Sequence, residues 1–194
     1  MIFKSLLVAN RGEIALRIIK TASEMGIKCI AVYVDEDADS PHVKAADESF
    51  RLPDGGYLDT NAIINAAKQT NAEAIHPGYG FLNENAKFAR KGKKEKIVWV
   101  GPSAHVIYVM GDKLKAKELA DKADLPTLTM TSNLKEAGKI GYPLLSKAAA
   151  GGSGKGMRIV PSETSLNESL MAAKREAKAG FNDDRVFFER YIEI

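Results

Sequence analysis

Lys147-Ala148-Ala149-Ala150-Gly151-Gly152-Ser153-Gly154-Lys155-Gly156-Met157 is the stretch that decides how the second half of this 194-residue chain is read. Glycine-rich backbone lets amide groups approach phosphate oxygens, so such loops recur around nucleotides. Two common loop classes fail here. A Walker A frame would occupy residues 149–156, yet it starts with Ala149 where glycine is required and ends with Gly156 where Ser or Thr is required. A dinucleotide fingerprint opens a helix, whereas Met157-Arg158-Ile159-Val160 alternates like a strand and is stopped by Pro161. What remains is strand, glycine loop, strand: a flap able to fold over phosphates as the glycine-rich loop of protein kinases does. Lys147, at the end of the first strand, would bring positive charge to those phosphates. The same residues also suit a flexible surface hairpin with a solvated Lys155, and the loop alone does not separate the two.

Working outward, residues 133–140 read as a helix, 143–147 and 156–160 as the flanking strands, 165–179 as a helix and 186–191 as a strand. Toward the N-terminus, short apolar runs alternate with amphipathic stretches, the pattern of parallel strands joined by crossover helices. Strands are predicted at 5–9, 29–34, 48–52, 72–76 and 97–100, with helices at 12–25, 61–70 and 84–90. Within the first helix Ile14, Leu16, Ile18 and Ile19 gather near one face, and Gly26 supplies the stop. A further helix is predicted over 112–123, and Pro126 then marks the lobe boundary. The expected class is α/β, a Rossmann-like open parallel sheet followed by a smaller mixed lobe.

Composition narrows the function. A hydrophobic fraction of 45% and a charged fraction of 27% are those of an ordinary folded chain, against disorder, collagen or coiled coil. A net charge of +3 is too balanced for nucleic acid to lead the list of partners, while an acidic small molecule stays open. The basic run of Lys87, Arg90, Lys91, Lys93, Lys94 and Lys96 falls at a helix end and reads as a solvated face. His42, His76 and His105 are far apart, with no cysteine or carboxylate at ligand spacing, so no zinc site is expected. The single cysteine, Cys29, lies in an apolar run and reads as a buried structural thiol. With no stretch approaching ~18 apolar residues, a cytoplasmic location is expected.

Four segments carry a resemblance to a known family: Asn10-Arg11-Gly12-Glu13-Ile14-Ala15; His76-Pro77-Gly78-Tyr79-Gly80-Phe81-Leu82-Asn83-Glu84-Asn85; Gly101-Pro102 with Met110-Gly111-Asp112-Lys113; and the glycine loop. In order and spacing they resemble biotin carboxylase, over residues 3–194. The resemblance implies an N-terminal pre-ATP-grasp domain over 1–110, a helical linker over 111–127, and the lid subdomain of an ATP-grasp fold over 128–194. It implies an ATP-dependent ligase that uses ATP and bicarbonate, through carboxyphosphate, to carboxylate biotin. Magnesium or manganese would be the metal. The partners implied are a biotin carboxyl carrier domain, a carboxyltransferase and a second copy of the chain in a homodimer, with no nucleic acid and no membrane.

Carried over by residue, the resemblance implies ATP-phosphate or adenine-side contacts for Lys113 and Lys147, and a phosphate-covering role for Ser153 and Gly154. Met157 would pack on adenine, and Glu189-Arg190-Tyr191-Ile192 would pair with its edge. Tyr79 and Gly80 match positions lining the biotin pocket, although His76 to Phe81 also suits a plain Pro/Gly turn at a strand end. Arg11, Gly12 and Glu13 read as scaffold near the dimer interface. Ser146, Ala150 and Ser153 depart from the family's usual residues and could alter loop closure. Metal ligands, bicarbonate-binding groups and the catalytic base are expected in a C-terminal lobe beyond Ile194, so the chain reads as a fragment, inactive by itself. Two alternatives remain, a noncatalytic nucleotide-binding module and a nicotinamide-dependent oxidoreductase, the latter lacking a glycine fingerprint at the first strand-helix turn.

Overall fold

The computed structural model describes residues 3–150 and 157–192. The chain divides into two units, Met1–Tyr108 and Val109–Ile194. The division falls before the stretch expected to be a linker, and the helix foreseen there belongs to the second unit.

In the first unit, β1 (Ser5–Val8), β2 (Lys28–Tyr33), β3 (Glu48–Arg51), β4 (Ala74–His76) and β5 (Val98–Trp99) form a parallel sheet in the order β3-β2-β1-β4-β5. The helices of this unit are α1 (Gly12–Glu24), α2 (Pro41–Ala45), α3 (Thr60–Gln69), α4 (Ala86–Lys94) and the start of α5 (Ala104–Met110). Every residue of β1 is buried, as a central parallel strand covered on both faces requires. Alternation sorts the strands into two cores. Leu7, Ile30 and Ile75 pack on one face with Ile63 and Phe88; Leu6, Cys29 and Ala74 pack on the other with Ala15 and Ile19. The Phe88 and Trp99 rings meet edge to face, 5.2 Å between centroids.

Helix ends follow local chemistry. Asp59 caps α3 by accepting from the N–H groups of Asn61 and Ala62, and Asn85 caps α4 through the N–H of Phe88. At the other end of α3, Asn71 turns left-handed with φ 52° and the N–H of Ala72 returns to the carbonyl of Ala67. That closure is why β4 begins at Ala74 and not at the expected residue 72. Helix α4 likewise outruns the predicted 84–90. The short elements α2, α5 and a 3-10 turn at Asp35–Asp37 were not foreseen.

The second unit adds α6 (Lys113–Lys122), β6 (Met130–Thr131), α7 (Leu134–Ile140), β7 (Leu144–Ala148), β8 (Arg158–Val160), α8 (Leu166–Phe181) and β9 (Val186–Arg190). Its four strands pair antiparallel in the order β6-β9-β7-β8. The expected strand pair flanking the glycine loop is present as β7 and β8, with Ser146 opposite Arg158. One sheet face packs Leu144, Val160 and Phe188 against Ala137 of α7 and Leu166 of α8. Leu145, Lys147, Ile159 and Glu189 alternate onto the other face. Ser146 points into the packed side, fully buried, and its hydroxyl is satisfied by donating to the Arg158 carbonyl at 3.2 Å.

Candidate functional site

In the first unit the strand order reverses between β1 and β4, the switch point outside whose carboxyl ends ligands of open α/β sheets collect. The residues that follow these two strands meet there. Asn10, fully buried, donates through Nδ2 to the carbonyls of Pro77 and Tyr79, both at 2.9 Å, and its Oδ1 accepts from the Arg11 N–H. One amide thus fixes the turn after β4 from the turn after β1. Gly78 has φ 67°, and a Cβ there would stand 2.5 Å from Asn10 Nδ2, so this turn needs glycine for both conformation and space. Gly80 needs it for conformation alone. His76 Nδ1 accepts from the Gly78 N–H at 2.9 Å, and burial pushes the imidazole pKa down.

Tyr79, 61% exposed, projects from this turn, and its hydroxyl reaches Glu13 at 3.4 Å. Phe81 stacks on Tyr57 with centroids 5.6 Å apart. The Tyr57 hydroxyl donates to Asp37 at 2.6 Å, and Arg11 Nε donates to the same carboxylate at 2.6 Å. Arg11 holds the buried Asp37 carboxyl below its ordinary pKa, while burial and the Asp37 carboxylate push the Tyr57 phenol up. Arg11 is therefore an internal brace. Asp37 and Tyr57 carry no signal in the sequence, and Asn10 stands out there only as the first residue of a segment that carries the family resemblance.

In the second unit, β7 presents Lys147 on the open sheet face, where it pairs with Glu189 of β9. Arg190 Nη1 donates to the Ile140 carbonyl at 3.3 Å, and the Tyr191 N–H donates to the Pro143 carbonyl at 3.1 Å. Met157 and Ile192 are exposed. Lys113 opens α6, and its backbone N–H donates at 3.1 Å to the carbonyl of Ala149, two residues beyond Lys147. The start of α6 and the end of β7 are thereby joined where the chain enters the glycine loop. Ser153 and Gly154 lie outside the described residues. So do Lys155 and the rest of 151–156.

Among the described residues, no group of three or more His, Cys, Asp or Glu side chains is placed to hold a metal ion. No helix among them is long and apolar enough to cross a membrane.

An open parallel sheet with a braced turn at its switch point, followed in the chain by an antiparallel sheet with two lysine-bearing segments joined at one strand end, defines an α/β protein built of two sheets. Residues 2–107 match the family described as biotin carboxylase, N-terminal domain, and residues 112–194 match carbamoyl-phosphate synthase L chain, ATP binding domain. The chain belongs to the biotin carboxylase N-terminal domain family. It is similar to biotin carboxylase of Haemophilus influenzae, 45% identical, over 98% of this chain and 45% of that protein. It is also similar to the human mitochondrial propionyl-CoA carboxylase alpha chain, 44% identical, over 98% of this chain and 28% of the relative. Among solved structures, the biotin carboxylase domain dimer of 2-oxoglutarate carboxylase from Hydrogenobacter thermophilus, in complex with MgADP, ADP and bicarbonate, superposes with a TM-score of 0.95 at 41% identity, covering 100% of this chain and 45% of that one. The chain thus spans less than half the length of these relatives.

Proposed function

We propose that this chain is the ATP-handling N-terminal portion of a biotin carboxylase, an ATP-dependent ligase that carboxylates carrier-bound biotin from ATP and bicarbonate. The observation that carries the reading is the hydrogen bond from Lys113 to Ala149, which brings one lysine-bearing segment to the strand end that bears the other. Two lysines on segments joined at one strand end suit the phosphates of a nucleotide. The open face of the second sheet, which bears Glu189, suits the adenine together with Met157, Tyr191 and Ile192 beside the strand ends; Arg190 alternates to the α7 side and would take part through its backbone. Tyr79 and Gly80, on the braced turn of the first unit, suit the flat ureido group of biotin, for which an exposed ring is a stacking surface.

No residue of this chain is assigned to the divalent cation, because the described residues bring no ligand set together. Its ligands, the bicarbonate groups and the base are assigned to the portion that the longer relatives possess. The carrier domain, a carboxyltransferase and a second copy of the chain are the partners proposed, in the cytoplasm.

The reading is tested by calorimetric titration of the chain with MgATP. Lys113→Ala and Lys147→Ala are each expected to weaken binding by about 2 kcal/mol, the scale of a charge-assisted phosphate contact, and Lys155→Ala by much less. Equal small effects for all three would remove the assignment. Activity is tested by a chimera continuing from residue 194 with the remainder of the Haemophilus influenzae relative. Carboxybiotin is expected from the chimera supplied with ATP, magnesium, bicarbonate and biotin, and not from the 194-residue chain alone.

A further inference from the structure

Three segments of the second unit close on one buried residue. The Lys113 N–H donates to the Ala149 carbonyl, and the Ala149 N–H donates to the Arg185 carbonyl at 2.9 Å, so the end of β7 ties the turn before α6 to the turn before β9. Side chains repeat the tie. Arg185 Nη2 stands 2.9 Å from Asp112 Oδ2, while Asp112 Oδ1 accepts from the N–H groups of Leu114 at 3.1 Å and Lys115 at 3.2 Å. Asp183 engages the same guanidinium, with Nη2 to Oδ2 at 2.5 Å and Nε to Oδ1 at 3.1 Å. Asp112 is only 8% exposed. Burial alone would raise its carboxyl, but the Lys115 N–H and the Arg185 guanidinium together hold it below its ordinary value.

We infer that Arg185 is a positioning residue for Lys113. With Asp112 it clamps the first turn of α6 onto the strand end that carries Lys147. A lysine places its charge at the end of a flexible four-carbon stem, so where its backbone is anchored decides what the ammonium reaches. The planar guanidinium suits this post because it bridges two carboxylates from separate segments, a link that the Lys115 ammonium, 4.0 Å from Asp112 on the same helix, does not make. The consequence for the nucleotide rests on the role proposed above for Lys113; the clamp itself does not.

Two readings on the chain separate these levels. The first is amide hydrogen exchange by NMR in Arg185→Met, Asp112→Asn and the double variant, where the Asn keeps the cap that starts α6. The Lys113 and Ala149 amides are expected to exchange about tenfold faster in each single variant and no faster in the double, while the Phe188 amide in the sheet interior is unchanged. Unchanged exchange at Lys113, or acceleration of Phe188 in step with it, overturns the clamp. The second is MgATP affinity, expected to fall about tenfold in Arg185→Met and to fall no further when Lys113→Ala is already present. Additive losses would show that Arg185 does not act through Lys113. If the unaltered chain binds no MgATP, the nucleotide reading fails, and the exchange data still decide the clamp.

Discussion

Gly78→Ala offers a sharp test of how the turn after β4 is held. At φ 67° an alanine pays the left-handed penalty of about 1–2 kcal/mol. Its Cβ would also stand 2.5 Å from Nδ2 and 2.9 Å from Cγ of Asn10, and 2.9 Å from Cγ2 of Ile14. Asn10 is fully buried and cannot swing aside without leaving the Pro77 and Tyr79 carbonyls. Losing those bonds adds about 1–3 kcal/mol, for a total of roughly 2–5 kcal/mol against a domain stability on the order of 5–15 kcal/mol. Gly80→Ala is the control: φ is 68° but no atom lies within 4 Å of the new Cβ, so only the conformational part, about 1–2 kcal/mol, is expected. Urea unfolding followed by Trp99, the single tryptophan and partly buried against the first unit's core, reports this unit selectively. If the two alanines cost the same within about 0.5 kcal/mol, Asn10 does not brace this turn.

Cys29 is buried and its thiol is pushed up in pKa chiefly by that burial, so a thiol reagent should react only as fast as the first unit opens; rapid labelling of the folded chain would contradict this. Acid should weaken the first unit in two stages. Burial lowers His42 and His76 below their ordinary 6.5, so the stability they confer is complete above that pH and declines as pH falls toward their folded values, because the unfolded state binds the proton first. Asp37, held below its ordinary 3.8 by Arg11 despite burial, contributes above that value and loses it as pH falls further; Asp37→Asn should reduce this second limb, to which Asp35 and Glu95 also contribute, and Trp99-monitored melts from about pH 7.5 downward would show both.

The parts of the fold legible in the sequence are those written in a local period. β1, β2 and α1 declare themselves because their apolar residues repeat at the spacing of a strand or a helix; Asn133, expected as the first residue of its helix, is instead the cap of α7. The strand character of 158–160, which excluded the dinucleotide fingerprint, came from four residues and a proline. β6 could not be read the same way: two residues carry no period, and Met130 and Thr131 are a strand only because β9 lies alongside. α2 is five residues long, and its signal, Ser40-Pro41, is no stronger than that of a turn.

The candidate site divides along the same line. Lys147 and the glycine loop are consecutive in the chain and could be found by inspection, whereas Asp112, Ala149 and Arg185 are brought together only when β7 and β9 pair and α6 docks its first turn. The pairing of Lys147 with Glu189 belongs to this second class, and it changes what the lysine offers. Register places Leu145, not Lys147, opposite Glu189, so the contact is diagonal, within reach of a long side chain but of no short one. A lysine already matched by a carboxylate presents less net charge to an approaching phosphate than its sequence position suggests. Lys113 reaches the same strand end from a different segment, anchored through its own backbone. Two lysines that look equivalent as a list of charges are therefore held by different means, one by a cross-strand ion pair and the other by a turn clamped to the strand end, and substitutions at Glu189 and Arg185 should disturb them separately.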